Sequence, residues 1–221
     1  MSDPTEVWAV IPVKETPGAK QRLAPVLGAP LRRALALAML EDVLAAVAGV
    51  AGLGGALLVT VDPQAILLAR RYGMATLADG AHAGHTGAVT AGARHLIAKG
   101  RRAMLTLPGD VPLATAAELA ELIAAHGPAP AFTIAPSHDE QGSNAILMSP
   151  PDAVPLRFGE DSFLPHLAAA RAVGIAPCVL RLPGIAFDID NPRDLDHFAR
   201  LKSETRAATL IAAHASEMRV G

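Results

Sequence analysis

Short runs that are almost wholly apolar recur along the chain, separated by longer stretches whose apolar positions fall three and four residues apart. The first run, residues 7–13 (VWAVIPV), closes at Lys14 and reads as a buried strand. Residues 15–23 hold Pro17, Gly18, Lys20 and Arg22 and read as a loop. From Leu31 onward Leu35, Met39, Val43 and Val47 recur at helical spacing, with Arg32 and Arg33 on another side. A second strand is expected at 56–61, behind Gly54 and Gly55, after which Asp62 and Pro63 open a helix. A brief strand at 74–77, a helix at 84–99 and a buried strand at 103–107 follow, the last ending in Pro108, Gly109 and Asp110. Thr115 with Glu118 three residues on has the pattern of a capping box. Further strands are predicted at 131–135, 145–148 and 177–182, and further helices at 162–172 and 192–201.

Strands alternating with helices at these lengths predict an α/β fold with a mostly parallel sheet. With no internal repeat and no low-complexity linker, residues 1–201 read as one domain and 202–221 as a C-terminal helical tail. The tail is Ala-rich and weakly amphipathic. Extension of the last helix, packing on a partner subunit, or fraying are all open to it, and its apolar face is the reason to expect a homodimer.

Composition narrows the partners. Hydrophobic residues make up 51% of the 221 positions but aromatics only 3%, which suits helices laid on a parallel sheet better than an aromatic-rich sandwich. The net charge is −2 with basic residues scattered, which excludes a nucleic-acid footprint. Glu41 and Asp42 interrupt the long apolar stretch, so no membrane span is expected. The acidic N-terminus (Asp3, Glu6) does not look like a signal peptide, and the expected location is cytoplasmic. The single cysteine, Cys178, lies in an apolar run and reads as a buried small hydrophobe.

In open α/β sheets ligands gather at the carboxyl ends of strands, and polar residues cluster there in three groups. Lys14, Lys20 and Arg22 place three cations within nine residues around Gly18, a composition suited to a polyphosphate or to a solvated loop. Asp110 ends one strand, while Asp188 and Asp190 in FDID stand at i and i+2, on the same side of an extended backbone. Hard oxygens in this arrangement suit Mg2+. Helix capping is a weaker account of the pair, because Asn191, Pro192 and Asp194 already explain the following helix start. The third group is RFGEDSF (157–163) with His166. Periodicity makes Ser162 an ordinary N-cap, and the anion-binding alternative rests on the free N–H groups of a helix start. The eight histidines show no metal-binding spacing, and no G-x-S-x-G elbow is present.

The segments IPVK (11–14), AKQRL (19–23), RRALALAMLEDVL (32–44), PGDVPL (108–113), GSNAIL (142–147), RFGEDSFLPH (157–166) and FDIDNPRDL (187–195) stand in one order. Together they resemble the 2-phospho-L-lactate (or phosphoenolpyruvate) guanylyltransferase family of the nucleotide-diphospho-sugar transferase superfamily. The resemblance spans roughly residues 7–201, and RFG-x-x-SF-x-x-H with D-x-D-x-P-x-DL is its most specific part. It implies a three-layer Rossmann-like sandwich and the transfer of GMP from GTP to a small phosphorylated acid in the synthesis of coenzyme F-420. It also implies roles for individual residues: Asp110, Asp188 and Asp190 on a Mg2+ ion, Lys14, Lys20 and Arg22 facing the triphosphate, and Lys14, Arg22 and Asp110 as the catalytic set. Ser143, Asn144, Gly159, Ser162 and His166 would bind the phospho-acid. Thr86, in Gly84-His85-Thr86-Gly87-Ala88, stands beside the nucleotide where the family usually has an asparagine; Ser143 stands where threonine is usual. Two other readings remain: a nucleotidyltransferase for a sugar phosphate or pterin phosphate, and a nucleotide-binding protein without catalysis.

Overall fold

The computed structural model describes residues 6–15, 18–159 and 161–215. Seven strands form one sheet: β1 (Val7–Pro12), β2 (Gly55–Val59), β3 (Ala75–Leu77), β4 (Ala103–Thr106), β5 (Ala131–Pro136), β6 (Ser143–Ser149) and β7 (Cys178–Val179). Their order is β3-β2-β1-β4-β6-β5-β7, parallel except for β6, which runs antiparallel to β4 and β5. Seven helices surround it: α1 (Ala29–Ala48), α2 (Pro63–Arg71), α3 (Gly84–Ala98), α4 (Ala116–Ala124), α5 (Phe163–Ala172), α6 (Pro192–Arg200) and α7 (Arg206–Ala213). This is the mostly parallel α/β sandwich expected from the alternation.

Side-chain alternation along the strands sorts the core into layers. Ala9, Ile11, Leu58 and Leu105 face one way, toward Leu40, Val43 and Leu44 of α1, Leu68 of α2 and Leu119 of α4. Val10, Leu57, Met104 and Ile146 face the other, toward Val89 and Leu96 of α3 and Phe163 and Leu167 of α5. A third cluster joins Leu35 and Met39, on the back of α1, to Leu23, Phe187, Ile189, Phe198 and Ile211. Helix α1 is therefore apolar on two sides, which explains its long apolar sequence. Among the described residues no helix is long and apolar enough to cross a membrane.

Local chemistry sets several boundaries. Asp62 caps α2 by accepting from the N–H groups of Gln64 and Ala65, at 2.9 and 3.0 Å. Thr115 and Glu118 form the expected capping box of α4, and Asn191 with Asp194 forms another at α6. Helix α1 starts two residues before Leu31, because Pro30 fits its first turn. The strand expected at 177–182 shrinks to two residues at the sheet edge, where one side goes uncovered. Cys178 is accordingly half-buried rather than buried.

The tail neither extends α6 nor frays over its described part. Leu201 turns extended (φ −74°, ψ 132°), and Thr205 caps a new helix, α7. Ala207 and Ile211 pack into the third cluster of the same chain, so this apolar face gives no argument for a dimer. Residues 216–221 of the expected tail lie outside the described residues. Buried Asp42 of α1 accepts from the N–H groups of Arg206 and Ala207, at 2.9 and 3.0 Å. Burial raises the Asp42 carboxyl, and these two N–H groups oppose that rise. Asp42→Ala is expected to cost about 1–3 kcal/mol and to raise amide hydrogen exchange chiefly in α7. Unchanged exchange there would mean that apolar contacts alone dock the helix.

Candidate active site

The strand order reverses between β1 and β4, which opens a crevice at their carboxyl ends. A cleft of about 990 Å3 lies there. The loop after β1 brings Lys14, Lys20 and Arg22 to it, and the loop after β4 brings Asp110. Because β6 is antiparallel, its first residues, Ser143 and Asn144, reach the same end as the last residues of its neighbours. Thr86 at the start of α3, Gly159 and Ser162 before α5, and Asp188 and Asp190 before α6 complete the lining. Of the residues given a binding, catalytic or metal role in the sequence analysis, His166 alone is absent from the cleft lining.

Lys20 has a left-handed backbone (φ 52°), and its carbonyl accepts from the Leu23 N–H at 2.9 Å to start a single 3-10 turn, Gln21–Leu23. That turn folds the Lys20 side chain inward while Lys14 and Arg22 stay exposed. The Lys20 ammonium donates to Asp110 Oδ2 at 2.7 Å and to Asp190 Oδ1 at 2.8 Å. Burial opposes its charge, but the two carboxylates outweigh that penalty and hold the ammonium charged beyond its usual range. Burial likewise works against an ionised Asp110, yet Lys20 keeps that carboxyl below its usual value. Lys20 therefore meets the carboxylates of two different loops.

The FDID segment alternates as predicted: Phe187 and Ile189 are buried in the third cluster, and Asp188 and Asp190 face the cleft. Ile189 N–H donates to the Asp110 carbonyl at 3.3 Å, which holds the two carboxylate-bearing loops side by side. Asn144 is buried, and its amide donates to the carbonyls of Ile185 (3.0 Å) and Ala186 (3.2 Å) and to Asp188 Oδ1 (3.1 Å). Its amide nitrogen thus holds the aspartate loop in place. Burial, together with the negative charge of Asp110, pushes Asp188 up to about 6.

The three carboxylates are hard oxygen donors of the kind a divalent cation takes, and two of them are engaged by the Lys20 ammonium. Among the described residues, however, no three acidic, imidazole or thiol side chains converge on a single point. Lys20 stands between Asp110 and Asp190, and Asn144 holds Asp188.

Sequence periodicity favoured Ser162 as an N-cap, but its hydroxyl makes no capping bond and donates instead to Ser143 Oγ at 3.2 Å. His166 is 1% exposed, with Nδ1 at 2.9 Å from Ser143 Oγ and Nε2 at 2.9 Å from the Arg157 nitrogen. Both ring nitrogens are occupied, so His166 supports the cleft wall from behind rather than meeting a ligand. Thr86 Oγ1 accepts from the Phe158 N–H at 3.0 Å, which ties the 157–159 loop to the start of α3. Gly159, with φ 147°, follows that tie in a conformation that favours glycine.

His85 was not among the residues singled out, although it sits in the stretch that contains Thr86. Its ring lies 4.3 Å from that of Phe158, and its Nε2 is buried with no hydrogen-bond partner among the described residues. Burial pushes its imidazole down to about 4; Asp110 opposes that shift and Lys14 adds to it. The loop between β5 and β6 was also missed. There the Ser137 hydroxyl donates to Asp139 at 2.6 Å and accepts from the Gly142 N–H at 2.7 Å, shaping the approach to Ser143. Serines and glycines in a hairpin loop have no period that marks them as lining a site.

Residues 7–211 match the family model described as "Guanylyl transferase CofC like". The chain is 42% identical to a phosphoenolpyruvate guanylyltransferase of Rubrobacter xylanophilus over 89% of its length and 94% of the relative's. It is 34% identical to a 3-phospho-D-glycerate guanylyltransferase of Colwellia psychrerythraea over 88% and 91%. Among solved structures, a protein of Desulfovibrio desulfuricans G20 assigned provisionally to the nucleotide-diphospho-sugar transferases superposes with a TM-score of 0.76 at 16% identity, covering 99% and 98% of the two chains. A 4-diphosphocytidyl-2C-methyl-D-erythritol synthase gives 0.60 at 14% identity over 87% and 96%. These structural likenesses show the fold.

Proposed function

The chain belongs to the CofC-like guanylyl transferase family, and from that premise we propose that it joins GMP from GTP to a small phosphorylated acid. The acid is 2-phospho-L-lactate, phosphoenolpyruvate or 3-phosphoglycerate, pyrophosphate is released, and the step serves the synthesis of coenzyme F-420. The names of the relatives support the first half of this reading. The observation that carries it here is the cleft itself, where cationic Lys14, Lys20 and Arg22 meet three carboxylates, Asp110, Asp188 and Asp190. A site for one neutral ligand has little use for that pairing, whereas two polyanions brought together require it.

In the proposed reaction an oxygen of the acceptor phosphate attacks the α-phosphorus of GTP. The new P–O bond forms as the bond to the β-phosphate oxygen breaks, and pyrophosphate leaves with the electron pair. A phosphate monoester has its second pKa near ~6 and is already largely dianionic at neutral pH, so the attack needs no general base. Asp110, Asp188 and Asp190 would hold Mg2+, which supplies charge neutralisation for the phosphates. Lys14 and Arg22, exposed and lining the cleft, would bind the triphosphate. Lys20 links the two halves of the site, because the ammonium that neutralises Asp110 and Asp190 is also a phosphate donor. Ser143, Gly159 and Ser162 form the wall offered to the phospho-acid, and Thr86 the edge beside the nucleotide.

The test is incubation with Mg2+, each of the four NTPs in turn, and a panel of 2-phospholactate, phosphoenolpyruvate, 3-phosphoglycerate and sugar 1-phosphates. Pyrophosphate release and product mass are the readouts. Release only with GTP and a phospho-acid is the expected result. Release with a sugar phosphate, or silence across the panel, would overturn the assignment.

A further inference from the structure

The hydrogen bonds around His166 can each be given a direction. The Arg157 backbone N–H can only donate, so the ring nitrogen facing it at 2.9 Å, Nε2, is an acceptor. A neutral imidazole with an accepting Nε2 carries its proton on Nδ1. Nδ1–H therefore donates to Ser143 Oγ at 2.9 Å. Ser162 also donates its hydroxyl proton to Ser143 Oγ, at 3.2 Å. A hydroxyl oxygen has two lone pairs and one proton. Both lone pairs of Ser143 are thus occupied, and its own O–H is what remains to be given. His166, Ser143 and Ser162 are all buried, so water does not compete freely for these bonds. Ser143 and Ser162 nevertheless both contribute to the wall of the cleft.

We infer that His166 is a positioning residue that makes Ser143 an obligate hydrogen-bond donor toward an anionic oxygen, carboxylate or phosphoryl, of the second substrate. A serine left to itself can turn to meet a donor or an acceptor. This one is set to meet only an acceptor, which matches a small acid and excludes an ammonium or amide N–H at that point. The inference rests on the guanylyl-transfer reading for the identity of the second substrate, but not for the direction of the bonds. The same ring also fixes the Arg157 end of the loop that carries Gly159, so one side chain sets two parts of the wall. Burial, with a smaller contribution from His85, holds the ring neutral by pushing it down to about 4, which keeps Nε2 able to accept at neutral pH.

Two tests separate this inference from the reaction assignment. Histidine-labelled protein examined by long-range proton–nitrogen NMR reports the tautomer without any turnover. An Nδ1–H ring at position 166 is expected, and an Nε2–H or doubly protonated ring at neutral pH would overturn the inference. The second test divides the two bonds. His166→Asn places an amide donor near the Nδ1 position and keeps the bond to Ser143. His166→Gln reaches the Nε2 position and keeps an acceptor for Arg157. With phosphoenolpyruvate as the probe, His166→Gln is expected to raise the acceptor KM by roughly tenfold, several-fold more than His166→Asn does, with the KM for GTP little changed in both. Adding Ser143→Ala to His166→Gln should then cost no more than Ser143→Ala alone. Equal losses in the two His166 variants, or a parallel rise in both KM values, would mean that the ring only packs. Thermal melts of each variant show that the comparison is between folded proteins.

Discussion

Asp188→Asn is expected to slow guanylyl transfer by about 10²- to 10³-fold while leaving the protein as stable as before, or more so. The two effects follow from one circumstance. The Asp188 carboxylate sits in a partly buried place near Asp110, which is why burial and that neighbouring charge push its pKa up to about 6. An ionised carboxylate is thus held where folding disfavours it, a cost that a site with a task for negative charge can bear. Asparagine keeps an oxygen to accept from the Asn144 amide, as Asp188 does at 3.1 Å, so the loop stays anchored. What is lost is the charge. Pyrophosphate release at saturating substrates gives the rate, and a thermal melt gives the stability. A variant that turns over like the wild type would remove Asp188 from the machinery, and with it the three-carboxylate account of the cleft.

Lys20→Met should damage both stability and activity. The Lys20 side chain is 9% exposed and its ammonium is shared by Asp110 and Asp190, whose side chains are 31% and 44% exposed. Removing one partner from a fully buried pair costs about 3–5 kcal/mol. Water reaches both carboxylates and screens them, so about 1–3 kcal/mol, the cost of leaving a partly buried partner unsatisfied, is expected instead. Denaturant unfolding in EDTA measures that loss. Pairing Lys20→Met with Asp110→Asn should restore part of the stability, because the uncompensated negative charge is then smaller. Activity is not restored by the second change, since it removes a further member of the site. If Lys20→Met unfolds at the wild-type denaturant concentration, the ammonium is idle in the folded protein.

Much of the fold was legible because its signals are local. Runs such as residues 7–13 and 103–107 announce buried parallel strands, and Asp62-Pro63, Thr115 with Glu118, and Asn191-Pro192 with Asp194 mark helix starts through bonds made within four residues. The i, i+2 spacing of Asp188 and Asp190 showed in advance that they share a side, and they do, with Phe187 and Ile189 buried opposite. Edge strand β7 was less legible, since an apolar run does not say how much of itself will find a partner. The packing of the helical tail was left open for the same reason. Its apolar face asks for a partner, and the structure supplies one in the back of α1, with Asp42 receiving the first N–H groups of α7.

By itself the sequence determined the class of fold, the motif order that places the chain in its family, and the residues available for chemistry. Each of these depends on periodicity or on residue type at short spacing. Only the tertiary structure decided which residue touches which. The antiparallel course of β6 brings Ser143 and Asn144 to the cleft. A left-handed backbone at Lys20 turns its ammonium between carboxylates that stand 90 and 170 residues away. Burial of His166 behind Ser143 makes a residue expected to bind ligand into one that orients a neighbour. The physical reason is common to all three. Hydrogen bonds and ion pairs act over about 3 Å, and the residues that come so close here are brought together by the order of strands in the sheet, which no local pattern in the chain specifies.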